Sequence, residues 1–241
     1  MQPRIDTILF DAVNTLWHET YSILDVWAEV LRRFDAVRPP KEIFLAEVEH
    51  LPWLHEHANS LETSGRPASD ETIETLWAEF NQRILRSLGI DAPIENVVSQ
   101  VLPVFDGIDI LYDDTLDVLT TLQRMGYRMA IVSNGVYQQR NAALMGIEDY
   151  FDTIIGSWHV GYMKPDPEIF NMALRQLGAS PEQALMVGDT WDADVVGARS
   201  AGIQALHLKR DDPVDESRDE ISTLHGVIEF LNHHQEQQAQ N

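Results

Sequence analysis

The chain has 241 residues, 44% of them hydrophobic, and a net charge of -22 from 17 Lys and Arg against 39 Asp and Glu. That length supports one large domain or two small ones. The acidic field excludes nucleic acid and anionic membrane surfaces as expected partners. There is no cysteine, which removes disulfides, thiolate catalysis and zinc–thiolate sites. Lysine occurs only at Lys41, Lys164 and Lys209, a pattern that fits either a salt-adapted surface or a merely acidic cytoplasmic enzyme. No basic-then-apolar leader opens the chain and no apolar run approaches the ~18–20 residues of a membrane span. The expected location is cytoplasmic.

Ile8-Leu9-Phe10-Asp11 is a short apolar run that stops at an acid, followed by the turn-forming Asn14-Thr15 pair. It predicts a buried strand ending at a carboxylate. In an open α/β sheet, ligands bind at the carboxyl ends of strands, which places Asp11 where chemistry is expected. A plain helix-capping Asp is the alternative reading.

Helical periodicity then runs for some ninety residues. Thr20 is placed to cap a helix carrying Tyr21, Leu24, Trp27, Leu31 and Phe34, which Pro39-Pro40 breaks. A second helix is expected from Lys41 towards Pro52. Ser69 caps a third, with Ile73, Leu76, Trp77, Phe80, Ile84 and Leu88, closed by Gly89. A fourth follows Pro93 and stops near Pro103. No strand signal appears between Leu16 and about Tyr127, so residues 17–106 are read as an all-helical insertion, a small cap domain. Residues 1–16 and 107–241 make the α/β core.

From Asp113 helices and strands alternate. Asp113 or Asp114 caps Leu116–Met125, and Arg128–Ser133 is a buried strand. Val136–Met145 is helical, and Thr153–Ile155 is a short strand. Asp166-Pro167-Glu168 opens a helix that runs to Gly178. Ser180–Gln183 has capping-box form before the strand Ala184–Val187. A helix at Ala193–Ala201, a strand at Gln204–Leu208 and a helix at Ile221–Leu231 follow, with a frayed polar tail from His233. Strands joined by helices imply a parallel sheet with helices on both faces.

Polar groups recur at these strand ends. Ser133-Asn134-Gly135 offers a hydroxyl and amide N–H groups suited to an anion. Lys164 precedes the rigid Pro165-Asp166-Pro167 turn. Asp189 follows Gly188, with Asp194 five positions on. Carboxylates converging from several strand ends repel without a cation, and a hard ion such as Mg²⁺ suits them.

The ordered set Asp11…Thr15, Ser133, Lys164 and Asp189…Asp194 resembles the four motifs of the haloacid dehalogenase superfamily, subfamily I, whose helical cap follows the first motif. The resemblance covers nearly the whole chain. It implies a Rossmann-like parallel-sheet core, with the first strand in the middle, the second and third on one side and the fourth and fifth on the other. It implies Asp11 as a nucleophile forming an aspartyl-phosphate, with Mg²⁺ held by Asp11, Asp189 and the Val13 carbonyl. Thr15, Ser133, Asn134 (through its backbone) and Lys164 would bind the phosphoryl group of a small phosphorylated molecule, and Asp194 would orient the metal shell or Lys164.

One position departs from that pattern. Superfamily phosphatases usually carry a second Asp two residues after the nucleophile, as general acid and base, and here it is Val13. His18 and Glu19 are candidate replacements and His159 a weaker one. A haloacid dehalogenase lacks the second Asp too, but it needs no metal and typically has no acid at the Asp189 position. A phosphonatase needs a cap lysine, for which only Lys41 is available. A non-catalytic binding module remains the alternative from another class. His50, His55 and His57 are read as a solvated face, Trp27, Trp53 and Trp77 as cap core, and His207 as structural.

Overall fold

A computed structural model describes residues 4–20, 22–106 and 108–239. The strands are β1 (Thr7–Phe10), β2 (Trp17–Glu19), β3 (Asp109–Leu111), β4 (Arg128–Ser133), β5 (Thr153–Gly156), β6 (Ala184–Gly188), β7 (Gln204–Leu208) and β8 (Glu220–Ile221). The α-helices are α1 (Ile23–Arg33), α2 (Pro40–Glu62), α3 (Asp70–Ser87), α4 (Ile94–Gln100), α5 (Thr115–Arg124), α6 (Gln138–Leu144), α7 (Ser157–Val160), α8 (Pro167–Leu177), α9 (Gly197–Ser200) and α10 (His225–Ala239). A π-helix spans Trp191–Val196. No helix among the described residues is long and apolar enough to cross a membrane.

Two compact units result: 1–18, 111–157 and 162–241 in one, 19–110 with 158–161 in the other. The α/β unit holds a parallel sheet in the order β5-β4-β1-β6-β7-β8. The first strand is central, with β4 and β5 on one side and β6 and β7 on the other, the order that the resemblance to the superfamily implied. β8 adds an edge that two residues could not signal by periodicity. All of β1 is buried, with Thr7 opposite Arg128 and Ala184 and Phe10 opposite Ile131 and Val187. A strand buried on both faces reads as a continuous apolar run, as Ile8-Leu9-Phe10 does. Ile8, Phe10, Met129, Ile131, Leu185 and Val187 share one core with Val118, Leu119 and Leu122 of α5.

Several boundaries differ from the sequence expectation. Asp114 stands at the start of α5 but makes no side-chain cap; it accepts from Arg210 and from the Leu224 N–H instead. Ser180 meets the Gln183 side chain rather than capping a helix. The last helix begins at His225 and continues to Ala239, so the tail expected to fray is helical there. Gln240 and Asn241 lie outside the described residues.

In the helical unit, α1 is capped by Ser22 in a capping box with Asp25, not by Thr20. The Thr20 hydroxyl donates to the Ile108 carbonyl, and Tyr21 lies outside the described residues. α2 runs through Pro52 to Glu62. Proline costs roughly 3 kcal/mol inside a helix, but the turns beyond it bury Leu54 and Ala58. Ser69 caps α3 as expected, accepting from the Thr72 N–H. Trp27 and Trp77 join Phe80, Phe105 and Trp158 in an aromatic cluster. Trp53 does not: half-buried, it stacks on His57 and lies under the Arg83 guanidinium at 4.2 Å. Residues 158–161, assigned from sequence to the core, belong to this unit, where His159 contacts Asp70 at 3.0 Å. The stretch read as wholly helical, 17–106, begins in β2, and β3 follows just beyond its end; both strands fall where no strand signal was expected, and each is too short for alternation to show.

Candidate active site

β1 delivers Asp11 to the end of the sheet. The Asp11 N–H donates to the Val187 carbonyl at 2.9 Å, which keeps the residue in line with the strand. The chain then turns tightly. The N–H groups of Thr15, Leu16 and Trp17 all reach the Ala12 carbonyl, and Asn14 adopts φ 59°, a left-handed conformation that Asn tolerates. Val13 is half-buried in this turn and bridges to Trp17.

Lys164 is the centre of the arrangement. Its Nζ donates to Asp11 Oδ1 and to Asp194 Oδ1, both at 2.6 Å, and the three side chains are buried. Its backbone is gripped by Asn134, whose Nδ2 donates to the Lys164 carbonyl at 2.8 Å while Oδ1 accepts from the Lys164 N–H at 2.7 Å. The Asn134 side chain thus aims the lysine, a role the sequence did not signal. Ser133 ends β4 beside it, fully buried.

Asp194 reaches Lys164 from the π-helix that follows β6. Its backbone N–H donates to the Thr190 carbonyl at 2.8 Å, and its Oδ2 accepts from the Thr190 N–H at 2.9 Å. Such wide turns are frequent at functional sites. Two glycines make room. A Cβ on Gly188 would lie 2.3 Å from the Asp194 carboxylate, and one on Gly197 would lie 2.9 Å from Pro165 Cα. Gly188 stands directly before Asp189 and Gly197 three residues beyond Asp194, yet the need for them is visible only in three dimensions.

Asp189 follows β6, and its carbonyl accepts from His207 Nε2 at 2.9 Å. His207, read from sequence as structural, therefore holds the backbone of a site residue. Carboxylate oxygens of Asp11, Asp189 and Asp194 lie within 4.8 Å of one another. Burial first, then the charges of Asp11 and Asp194, push Asp189 up to about 6. Burial would lower Lys164, but Asp11 and Asp194 outweigh it and raise the net value. Burial also pushes Asp194 up, Asp11 adding to it and Lys164 opposing. The 2.6 Å contact is that of an ammonium with a carboxylate.

Thr15 is buried with its hydroxyl unpartnered among the described residues, while its carbonyl accepts from Arg210. The sequence-predicted set thus lies in one unit, at the end of β4, on the segments that follow β1, β4 and β6 and, for Lys164, between α7 and α8. Of the proposed replacements for a second acid, His18 packs tilted at 40° against Tyr112, with ring centres 4.6 Å apart, and Glu19 is exposed; His159 sits in the helical unit.

The chain is similar to known proteins. Residues 5–202 match the family model for haloacid dehalogenase-like hydrolases. A phosphoserine phosphatase of Thermus thermophilus is 39% identical, over 73% of this chain and 75% of its own. A glyceraldehyde 3-phosphate phosphatase of Methanothermobacter thermautotrophicus is 35% identical over 46% of this chain, a match that spans about half of that protein (49%). Among solved structures, a HAD phosphatase from Thermococcus onnurineus aligns over 94% of this chain and 98% of its own, at TM-score 0.64 and 26% identity. With the family model covering most of the chain, the protein belongs to the haloacid dehalogenase-like hydrolases.

Proposed function

We propose that the protein is a Mg²⁺-dependent phosphatase of small phosphorylated molecules, working through an aspartyl-phosphate on Asp11. The observation that carries this reading is the Asp11–Lys164–Asp194 chain with Asp189 alongside. Three carboxylates and one ammonium leave a formal charge of -2, which a divalent cation balances. The oxygen-only donor set suits a hard ion, and the raised Asp189 is what three converging acids give without one. Asp11, Asp189 and the Val13 carbonyl are the residues that would hold Mg²⁺. When bound, the ion supplies positive charge against the phosphoryl oxygens.

Lys164 occupies one oxygen of Asp11, which leaves Oδ2 to attack phosphorus. The P–O bond to the leaving group breaks as the acyl phosphate forms, and water then releases phosphate and restores the carboxylate. Lys164 shares its charge with the transferring group, Ser133 donates its hydroxyl to it, and Thr15 and the Asn134 backbone border it. Asp194 keeps the lysine aimed. Val13 has no proton to give, so departure depends on the leaving group's own stability. The helical unit, inserted in the sequence straight after the Asp11 turn, is read as the substrate-selecting part. The phosphatase names of the relatives support the same chemistry.

A screen of p-nitrophenyl phosphate and phosphorylated metabolites, with and without Mg²⁺, tests this. Turnover that requires Mg²⁺ and vanishes in Asp11→Asn is expected. A folded wild-type protein inert toward every ester would favour a binding module.

A further inference from the structure

We propose that Arg210 is a positioning residue that holds the Asp11–Leu16 turn in its ion-binding shape. It lies just beyond β7, 195 residues from Thr15. Its Nη2 donates to the Thr15 carbonyl at 2.7 Å. The guanidinium is itself locked in place: a two-pronged contact with Asp114 at 3.0 and 3.2 Å on one side, and the Tyr112 ring 3.6 Å from its centre. Asp114 in turn accepts the Leu224 N–H at 2.8 Å, so the fork is anchored to the segment that starts α10. Among the described residues, Arg210 Nε is buried without a partner. The head group makes its bonds through Nη1 and Nη2, to Asp114 and to the Thr15 carbonyl.

The reason such a clamp matters lies in the turn. Within it, the Ala12 carbonyl collects three N–H groups and Asn14 takes a left-handed conformation. Those bonds close the turn on itself but do not fasten it to the sheet. Leu16, at its far end, is fastened by the Tyr112 N–H and the Thr115 hydroxyl. Arg210 fastens the residue before it. The other end is held by the Asp11 N–H on the Val187 carbonyl; with both ends fastened, the Asp11 carboxylate and the Val13 carbonyl keep a fixed separation, which Mg²⁺ demands because it tolerates little departure from its preferred geometry. Groups behind the ligands are commonly worth 10–100-fold in metal affinity. This inference rests on the proposed role of Asp11 and Val13.

The test titrates Mg²⁺ calorimetrically into metal-free wild type, Arg210→Met, Arg210→Lys and Arg128→Met. Arg128 is a matched control: it makes a comparable fork, to the Leu177 carbonyl and Asp6, at the opposite end of the sheet. Arg210→Met is expected to weaken Mg²⁺ binding by about 10–100-fold, with Arg210→Lys at the lower end of that range. Arg128→Met should lower the melting temperature while keeping wild-type affinity. Should Arg210→Met not fold, Arg210→Lys, which keeps the charge and the stem, carries the test. Wild-type affinity in the folded Arg210 variants overturns the role given to Arg210 alone. An equal loss in Arg128→Met overturns it too, since the effect would then be general destabilisation. A wild-type protein that takes up no Mg²⁺ overturns the reading of the site itself.

Discussion

Replacing Asp189 with Asn should stabilise the metal-free protein at alkaline pH and destroy its response to Mg²⁺. Asp189 is pushed up to about 6 from an ordinary 3.8. A carboxylate whose folded pKa is raised favours the folded state below about 3.8, and that contribution is lost as pH rises through about 6. Two pKa units correspond to about 3 kcal/mol at pH 8, reduced by solvent screening at this half-buried group to roughly 1–2 kcal/mol. Asn has nearly the same shape and no charge, so it removes the penalty without opening a cavity. At roughly 2–4 °C per kcal/mol for a chain of this size, Asp189→Asn should melt about 2–8 °C above wild type in EDTA at pH 8. The gap should close towards pH 4. Adding Mg²⁺ at about 100 times its dissociation constant stabilises a binding protein by about 2.7 kcal/mol, so the order should then invert. Differential scanning calorimetry at two pH values, with EDTA or Mg²⁺, reads all four states. A variant less stable than wild type in EDTA at pH 8, or one that keeps the full Mg²⁺ shift, would refute the reasoning.

Gly188→Ala should cost about 1–3 kcal/mol and weaken Mg²⁺ binding, because its Cβ would stand 2.3 Å from the Asp194 carboxylate; urea melts and an ion titration check it. With Val13 unable to donate a proton, aryl and acyl phosphates should turn over far better than alkyl phosphates. Val13→Asp should speed alkyl esters by up to roughly 10²–10⁴-fold and change aryl esters little. Brisk wild-type hydrolysis of alkyl phosphates, with no gain in the variant, would mean that another group supplies the proton. The net charge of -22 predicts a melting temperature that rises between low and molar KCl as self-repulsion is screened; a flat or falling curve would remove salt adaptation.

The sequence by itself determined much of this protein. Apolar runs that end in Asp11, Ser133 and Asp189 mark β1, β4 and β6, because a strand buried on both faces must be continuously apolar and polar residues can resume only where it leaves the sheet. The order of those strands in the sheet, β4-β1-β6, followed only from the resemblance to the superfamily, not from the residues themselves. Burial periodicity also located α3 and α8, with Ser69 and Asp166 at their starts. It misplaced what tertiary contacts override: α2 continues past Pro52, and Asp114 leaves its helix end to pair with Arg210. Tertiary structure alone decided which groups answer one another across the sheet. Lys164 lies between Asp11 and Asp194, Asn134 grips the Lys164 backbone, His207 holds the Asp189 carbonyl, and Arg210 reaches Thr15. The physical reason is range. Periodicity records whether a side chain is buried, a property of its own few turns of chain. A hydrogen bond between residues 153 positions apart, such as that of Lys164 with Asp11, leaves no local trace and exists only once the sheet has set their distance.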